Sequence, residues 1–218
     1  MITIDGPAGA GKSTVAQALA RRLGYRLLDT GAMYRALAWS VEQAGLTAED
    51  TPALRRHLSE VEVEVRNDRA YVDGRDVTGE IRTRPIDRLT SVLTTLEPVR
   101  QKITPLQRRL AAPGGVILEG RDTGTVVCPD AEVKFFLDAS LEERARRRQA
   151  QFAARGRVAD FATVLDEVRA RDAQDTTRAL APLTRASDAV AIDSTALTVD
   201  QIVERMVREI EQRCSTRS

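Results

Sequence analysis

Cysteine, histidine and lysine are scarce in this chain. Cys128 and Cys214 are the two cysteines among 218 residues. They lie far apart, at no redox or metal-binding spacing, which argues against a disulfide framework and points to a reducing, cytoplasmic setting. His57 is the single histidine and falls on an expected surface helix, where solvation accounts for it. With no His/Cys cluster, the only metal to expect is one that arrives with a nucleotide. The apolar runs span a few residues each, too short for a bilayer, and the apolar start Met1-Ile2-Thr3-Ile4 shows no charged leader of a signal peptide. An excess of one charge is missing too. The 33 Lys and Arg oppose 32 Asp and Glu, a formal net charge of +1, so nothing draws the whole chain onto nucleic acid or a membrane. Lysine accounts for only Lys12, Lys102 and Lys134, so arginine is abundant and any one arginine needs an argument from position.

What is present suffices for a core. Hydrophobic residues make up 42% and charged residues 30%, over a length that needs no disulfide or metal staple. Short apolar strands at Met1 to Asp5, Arg26 to Asp29, Val116 to Leu118, Val133 to Asp138 and Ala189 to Asp193 alternate with helical patterns. Helices are expected through Leu23, over Ala32 to Ala44, Thr51 to Leu58, Phe161 to Leu180 and Val199 to Arg213. A further one starts at Ser140-Leu141-Glu142-Glu143, which has the form of a capping box. Helical pattern also covers about Pro85 to Leu110, with Pro98 and Pro105 expected to interrupt it. Strand–helix alternation predicts an α/β fold, a parallel sheet with helices on both faces. Between these elements the period changes. Val61, Val63 and Val65 alternate with Glu62, Glu64 and Arg66, Asn67-Asp68 supplies a turn, Ala70 to Asp73 returns, and Asp73-Gly74 turns again. This predicts a small antiparallel insert. The expected organisation is one domain: a core (1–30, 111–143, 162–218), an insert (about 31–110) and a helical lid (about 144–161).

Gly6 to Ser13 reads G-x-x-x-x-G-K-[ST] between a strand and a helix. Glycines let backbone N–H groups turn inward around phosphate oxygens at a helix N-terminus. Lys12 can then reach the β- and γ-phosphates, and the Ser13 hydroxyl can ligate Mg²⁺. Gly6, Pro7, Ala8, Gly9, Ala10, Gly11, Lys12, Ser13 and Thr14 are therefore the expected ATP site. No Asn-Lys-x-Asp for reading guanine occurs. Asp76-Val77-Thr78-Gly79 loosely fits D-x-x-G but lies in the insert and is expected to be a turn.

Ligands of open parallel sheets bind beyond the strands' carboxyl ends. Two more polar segments follow strands there, Asp29-Thr30-Gly31-Ala32-Met33-Tyr34-Arg35 and Glu119-Gly120-Arg121-Asp122-Thr123-Gly124. On the helix after Asp160, the stripe of Val164 and Val168 continues as Arg171, Asp175 and Arg178. A face that turns from apolar to ionic should line a charged cleft, because burying unpaired charge is costly. Arg144, Arg146, Arg147 and Arg148 form a basic run. Arg146 is expected in solvent, and the run together with Arg155-Gly156-Arg157 suggests a closing segment. No well-placed general base stands out, while arginines abound. That fits an acceptor that is itself a phosphate monoester, mostly dianionic near pH 7 with a second pKa of about 6, which needs charge neutralisation instead of deprotonation. A nucleoside monophosphate is the natural case. Within the residues' own logic two other readings stay open: a kinase preferring UMP or dTMP, and a P-loop regulator using ATP as a switch.

The chain also resembles the bacterial cytidylate kinases along nearly its whole length. The matching stretches are Ile2 to Pro7 leading into the P-loop, Leu28 to Arg35, Val77 to Arg82, Glu119 to Val127, Lys134 to Ser140 and Arg178 to Leu183. The resemblance implies the nucleoside monophosphate kinase fold and the reaction ATP + CMP (or dCMP) ⇌ ADP + CDP (or dCDP) with Mg²⁺. By matching position it implies that Ser91, Arg100 and Asp122 read the cytosine edge and that Asp175, with Arg171, holds the sugar hydroxyls. Arg35, Arg121 and Arg178 would clamp the acceptor phosphate, with Thr30 beside them where the family often has Ser. Arg144, Arg148 and Arg157 would belong to the lid. The partners implied are small nucleotides, with no nucleic acid and no membrane, and the protein is expected to be a cytoplasmic monomer.

Overall fold

The computed structural model describes residues 1–66, 69–154 and 156–215, the last two by backbone alone. The expected Asn67-Asp68 turn and Arg155 lie outside the described residues, as does the Cys214 side chain. The chain folds as two compact units, one of Met1–Leu27 with Gly115–Ser218 and one of Leu28–Gly114.

The first unit is built on β1 (Ile2–Asp5), α1 (Lys12–Leu23) and the start of β2 (Arg26–Asp29). It resumes with β6 (Val116–Gly120), a single π-turn (Thr123–Val127), β7 (Val133–Asp138), α6 (Leu141–Ala153), α7 (Phe161–Thr177), β8 (Val190–Asp193) and α8 (Val199–Ser215). The sheet order is β2-β6-β1-β7-β8. Pairing around β1 is parallel, with Ile2 beside Ile117 on one side and Val133 on the other, and Phe135 beside Val190 at the next strand. Strands buried on both faces are rich in apolar residues, as Ile2, Ile4, Ile117, Leu118, Phe135 and Leu137 show, with Thr3 and Lys134 as buried polar residues among them. Helical spacing on α1 (Val15, Ala16, Leu19) and α8 (Ile202, Val203, Met206) completes the core against Ile4, Phe135 and Leu137. Ser140 accepts from the Glu143 N–H at 3.2 Å and so starts α6 where the capping box predicts. The Glu143 carboxylate, however, binds Arg147.

The second unit holds the rest of β2, α2 (Thr30–Gln43), α3 (Pro52–Glu60), β3 (Val63–Arg66), β4 (Arg69–Val72), β5 (Arg75–Asp76), α4 (Arg84–Leu93) and α5 (Glu97–Ala111). The insert is a three-stranded antiparallel sheet, β3-β4-β5, lying against α2. Asp76, expected wholly in a turn, pairs with Tyr71 in the two-residue β5 and then receives the Thr78 N–H and hydroxyl on Oδ1. As expected, the helical pattern breaks at Pro98, dividing into α4, which ends at Leu93, and α5, which starts at Glu97; Pro105 does not interrupt α5. Pro98 sits in the first turn of α5, where its missing N–H has no intrahelical acceptor to serve. Pro105 lies on the exposed side of α5, where water can serve the Gln101 carbonyl that it leaves without a donor. His57 is not simply solvated. Its Nε2 lies 3.0 Å from the buried Ser40 hydroxyl, which itself donates to the Leu37 carbonyl at 2.8 Å. Among the described residues no helix is long and apolar enough to cross a membrane.

Candidate functional site

In the first unit the carboxyl ends of β1, β6, β7 and β8 all run into polar segments. After β1 the loop Gly6 to Gly11 leads to α1. A Cβ at Gly6 would stand 1.9 Å from the Leu137 carbonyl oxygen, and one at Gly9 would stand 2.8 Å from the Arg144 carbonyl oxygen. Both glycines also have positive φ, +149° and +80°, so a side chain at either place meets backbone that cannot move aside. No side chain caps the start of α1, which leaves its first N–H groups for an anion. Lys12 is buried, and its ammonium donates to the Pro7 carbonyl at 2.7 Å. Burial lowers its pKa to about 7, helped by the neighbouring Arg121 charge and opposed by Glu119, Asp5 and Asp175. Ser13 and Thr14, in the first turn of α1, are exposed.

Asp5, the last residue of β1, ties the loop's origin to the segment after β6. Its carboxylate accepts from the Thr123 N–H (2.9 Å), the Thr123 hydroxyl (2.8 Å) and the Gly124 N–H (2.7 Å). Burial pushes its pKa up, against the pull of those bonds. The strand-end residues Arg121 and Asp122 are thereby held at a fixed place beside the P-loop.

Arginines converge on one carboxylate. Asp175 is 1% exposed. It accepts from Arg121 Nε at 2.8 Å and Arg171 Nε at 3.4 Å, with Arg178 Nη1 at 3.7 Å. Arg178 Nη2 also lies 3.8 Å from Asp122. Burial works against the Asp175 charge, yet Arg121, Arg171 and Arg178 together hold its pKa below the usual carboxylate range. The expected ionic stripe of α7 is therefore real in its Arg171 and Asp175. Arg178 sits one residue beyond the helix, where its Nε donates to the Ala181 carbonyl at 2.8 Å.

The basic run of α6 divides by face. Arg146 is exposed and pairs loosely with Glu143, whereas Arg148 lies over the Phe152 ring at 4.9 Å. Arg157 is exposed. Arg144 is buried instead of facing solvent, donating to the Ala139 carbonyl (2.9 Å), to Asp172 (2.5 Å) and to the P-loop carbonyl of Ala8 (3.3 Å). Burial raises the Asp172 pKa, although Arg144 opposes it. Ser194, Asp5 and Asp172 have no role in the sequence reading, and Arg147 enters it only as a member of the basic run. For Asp5 the signal was there, a carboxylate directly before Gly6. For the others only the tertiary contact reveals the role.

In the second unit, Asp29 caps α2 through the Ala32 N–H at 2.8 Å and binds Arg35 Nη2 at 2.9 Å, with Arg82 Nη2 at 3.5 Å. Thr30, Ser91 and Arg100 are all buried there. Arg100 Nε donates to the Thr94 carbonyl at 2.9 Å, and its guanidinium lies 5.9 Å from the Tyr34 ring centre. Helices α4 and α5 thus supply Ser91 and Arg100, and α2 supplies Arg35.

The family model for cytidylate kinase matches residues 2–212. A cytidylate kinase of a Geobacter species is 49% identical over 217 residues, covering 98% of this chain and 93% of its own length. One from Pelotomaculum thermopropionicum is 46% identical over 214 residues, 96% of this chain and 95% of its own. Among solved structures, a gluconokinase from Sinorhizobium meliloti superposes with a TM-score of 0.50 at 16% identity, covering 100% of this chain and 96% of that one. A shikimate kinase from Bacteroides thetaiotaomicron gives 0.50 at 14% identity, covering 96% and 97%. At such identities these two speak for the fold alone.

Proposed function

The chain belongs to the cytidylate kinase family, and on that premise we propose that it transfers the γ-phosphoryl group of ATP to CMP or dCMP, giving ADP and CDP or dCDP. The observation that carries the chemistry is the meeting of Arg121, Arg171 and Arg178 at Asp175, in the unit that also holds the phosphate loop. Three guanidiniums on one carboxylate leave an excess of positive charge, which suits an anionic acceptor.

ATP is assigned to Gly6 through Thr14, with the N–H groups of the loop and of the first turn of α1 around its phosphates. Lys12 exchanges the Pro7 carbonyl for phosphate oxygen, and the anion restores the ammonium charge that burial weakens. The fit to Mg²⁺ rests on the exposed Ser13 hydroxyl beside this cradle; Mg²⁺ keeps most of its shell as water and phosphate oxygen, so one protein oxygen suffices. When bound it neutralises charge on the transferring group. Arg35, Arg121 and Arg178 are assigned to the acceptor phosphate by their match to the family's positions. An already ionised phosphate attacks without a general base, so positioning and charge neutralisation are the chain's contribution.

Ser91, Arg100 and Asp122 are assigned to the cytosine, Asp175 with Arg171 to the sugar hydroxyls, and Thr30 to the surroundings of the acceptor. Of the stretch of about 144–161 expected to be a lid, Arg144 and Arg147 are held against the phosphate loop, so the lid role is assigned to the part from Arg148 onward, with Arg148 and Arg157 as its cations. Closure over both nucleotides excludes water and so protects ATP from hydrolysis. In this reading the enzyme works as a cytoplasmic monomer. The test is ADP formation from Mg-ATP by the purified protein with and without CMP. Release that requires CMP supports transfer, and equal release without any acceptor contradicts it.

A further inference from the structure

Two carbonyls of the phosphate loop are gripped by side chains that the motif itself does not contain. Arg144 Nη1 donates to the Ala8 carbonyl at 3.3 Å. Arg147 Nη1 donates to the Ala10 carbonyl at 3.2 Å, and Ser194 Oγ donates to the same oxygen at 3.0 Å. Arg147 is itself locked. Its Nη1 reaches Ser194 Oγ at 3.0 Å, its Nη2 the Ser194 carbonyl at 2.7 Å, and its Nε the Glu143 carboxylate at 3.0 Å. Ser194 is fully buried just after β8, and its N–H donates to the Asp138 carbonyl at the end of β7. Arg144 and Arg147 stand three residues apart, so they share one face of α6.

In a planar trans peptide the C=O of one residue and the N–H of the next point in opposite directions. Holding the Ala8 and Ala10 carbonyls toward α6 and Ser194 therefore turns the N–H groups of Gly9 and Gly11 to the opposite side of the loop. The φ values of Gly9 (+80°) and Gly11 (+93°) supply the alternation this requires. The α6 backbone is close enough behind Gly9 to leave no room for a Cβ.

We propose that Arg147 and Ser194, with Arg144 beside them, are positioning residues for the phosphoryl donor. They fix the peptides of Ala10 and Ala8 so that the N–H donors of Gly9 and Gly11 are aimed at phosphate before the nucleotide arrives. None of the three needs to touch phosphate for this. Their effect is to remove an ordering cost from anion binding. The inference rests on the donor-site assignment above, and it adds that the end of β8, far along the chain from the motif, sets the shape of the loop.

The experiment uses inorganic tripolyphosphate, which has neither base nor sugar and so reports on the cradle alone. Its Ki against ATP is measured for the wild type, Ser194→Ala, Arg147→Gln and the double variant, together with the KM for CMP and the Tm. Each single change should raise the Ki about 3- to 10-fold, the value of one lost hydrogen bond, and leave the CMP KM within about twofold. The double variant should fall short of the product of the two, because both groups act on the Ala10 carbonyl. An unchanged Ki in both single variants overturns the proposal. So does a raised ATP KM with an unaltered tripolyphosphate Ki, which would assign these residues to the nucleoside. Equal losses in Ki and CMP KM that track a fall in Tm would show a merely structural role and also overturn it. If the wild type makes no ADP with any acceptor, the functional reading fails, and tripolyphosphate binding by calorimetry in the same variants still decides this one.

Discussion

Asp175→Asn changes one atom in the described structure and removes one negative charge from among three guanidiniums. The side chain is almost wholly buried, with Arg121, Arg171 and Arg178 within 3.7 Å. Removing one partner of a buried ion pair costs about 3–5 kcal/mol, because the remaining charge stays desolvated without compensation. In a chain of this length each kcal/mol moves Tm by about 2–4 °C, so a loss of about 10 °C is expected at pH 7. The pH dependence gives the sign. The folded pKa of Asp175 is depressed, so its contribution is fully present above the unfolded value of about 3.9 and is lost as pH falls through the folded one. The gap in Tm between wild type and variant should therefore be the same at pH 8 and pH 5.5 and should close below about pH 4. Calorimetry or circular dichroism across that range reads it. A gap under about 2 °C at pH 7, or one that widens on acidification, would refute the claim that Asp175 anchors the arginines.

Three further outcomes follow from the geometry. Gly9→Ala places a Cβ 2.8 Å from the Arg144 carbonyl at a positive φ; it should cost about 1–3 kcal/mol of stability and weaken ADP binding more than CMP binding, read by calorimetry. Ser140→Ala removes the N-cap of α6; a Tm loss of about 2–4 °C with little change in turnover is expected, corresponding to about 1 kcal/mol. Arg121→Ala should lower CMP-dependent turnover at least about 100-fold while ADP affinity stays within about threefold; steady-state kinetics with ADP titration measures both, and near-normal turnover would remove Arg121 from the acceptor clamp.

Much of the fold was legible because its signals are local. The strands β1, β6 and β7 are mostly apolar, Gly6 to Ser13 carries its chemistry in eight consecutive residues, and Ser140 caps α6 through the N–H of Glu143, three residues on. What escaped is non-local or too short to have a period. β5 has two residues, and only its pairing with Tyr71 and Val72 makes it a strand. Pro105 does not break α5 as expected, because a proline's effect depends on which turn and which face it occupies. In the candidate site the arginine segments could be read from strand ends, but not what each arginine binds. Arg144 and Arg147 differ from Arg146 in helical phase, and phase matters only once the loop carbonyls are known to lie on that side, while Arg148, one turn after Arg144, lies over Phe152 instead. Ser194 is separated from Ala10 by 184 residues, so no sequence window contains both.

The most direct measurement is the kcat/KM of the purified protein for CMP, dCMP, UMP, dTMP and AMP with Mg-ATP as donor. The account predicts that CMP and dCMP exceed the others by at least about tenfold, since one well-placed pair of base contacts is worth more than about 1.4 kcal/mol. A preference for UMP, dTMP or AMP would contradict the assignment of Ser91, Arg100 and Asp122 to cytosine. Turnover that ignores the acceptor altogether would contradict phosphoryl transfer itself.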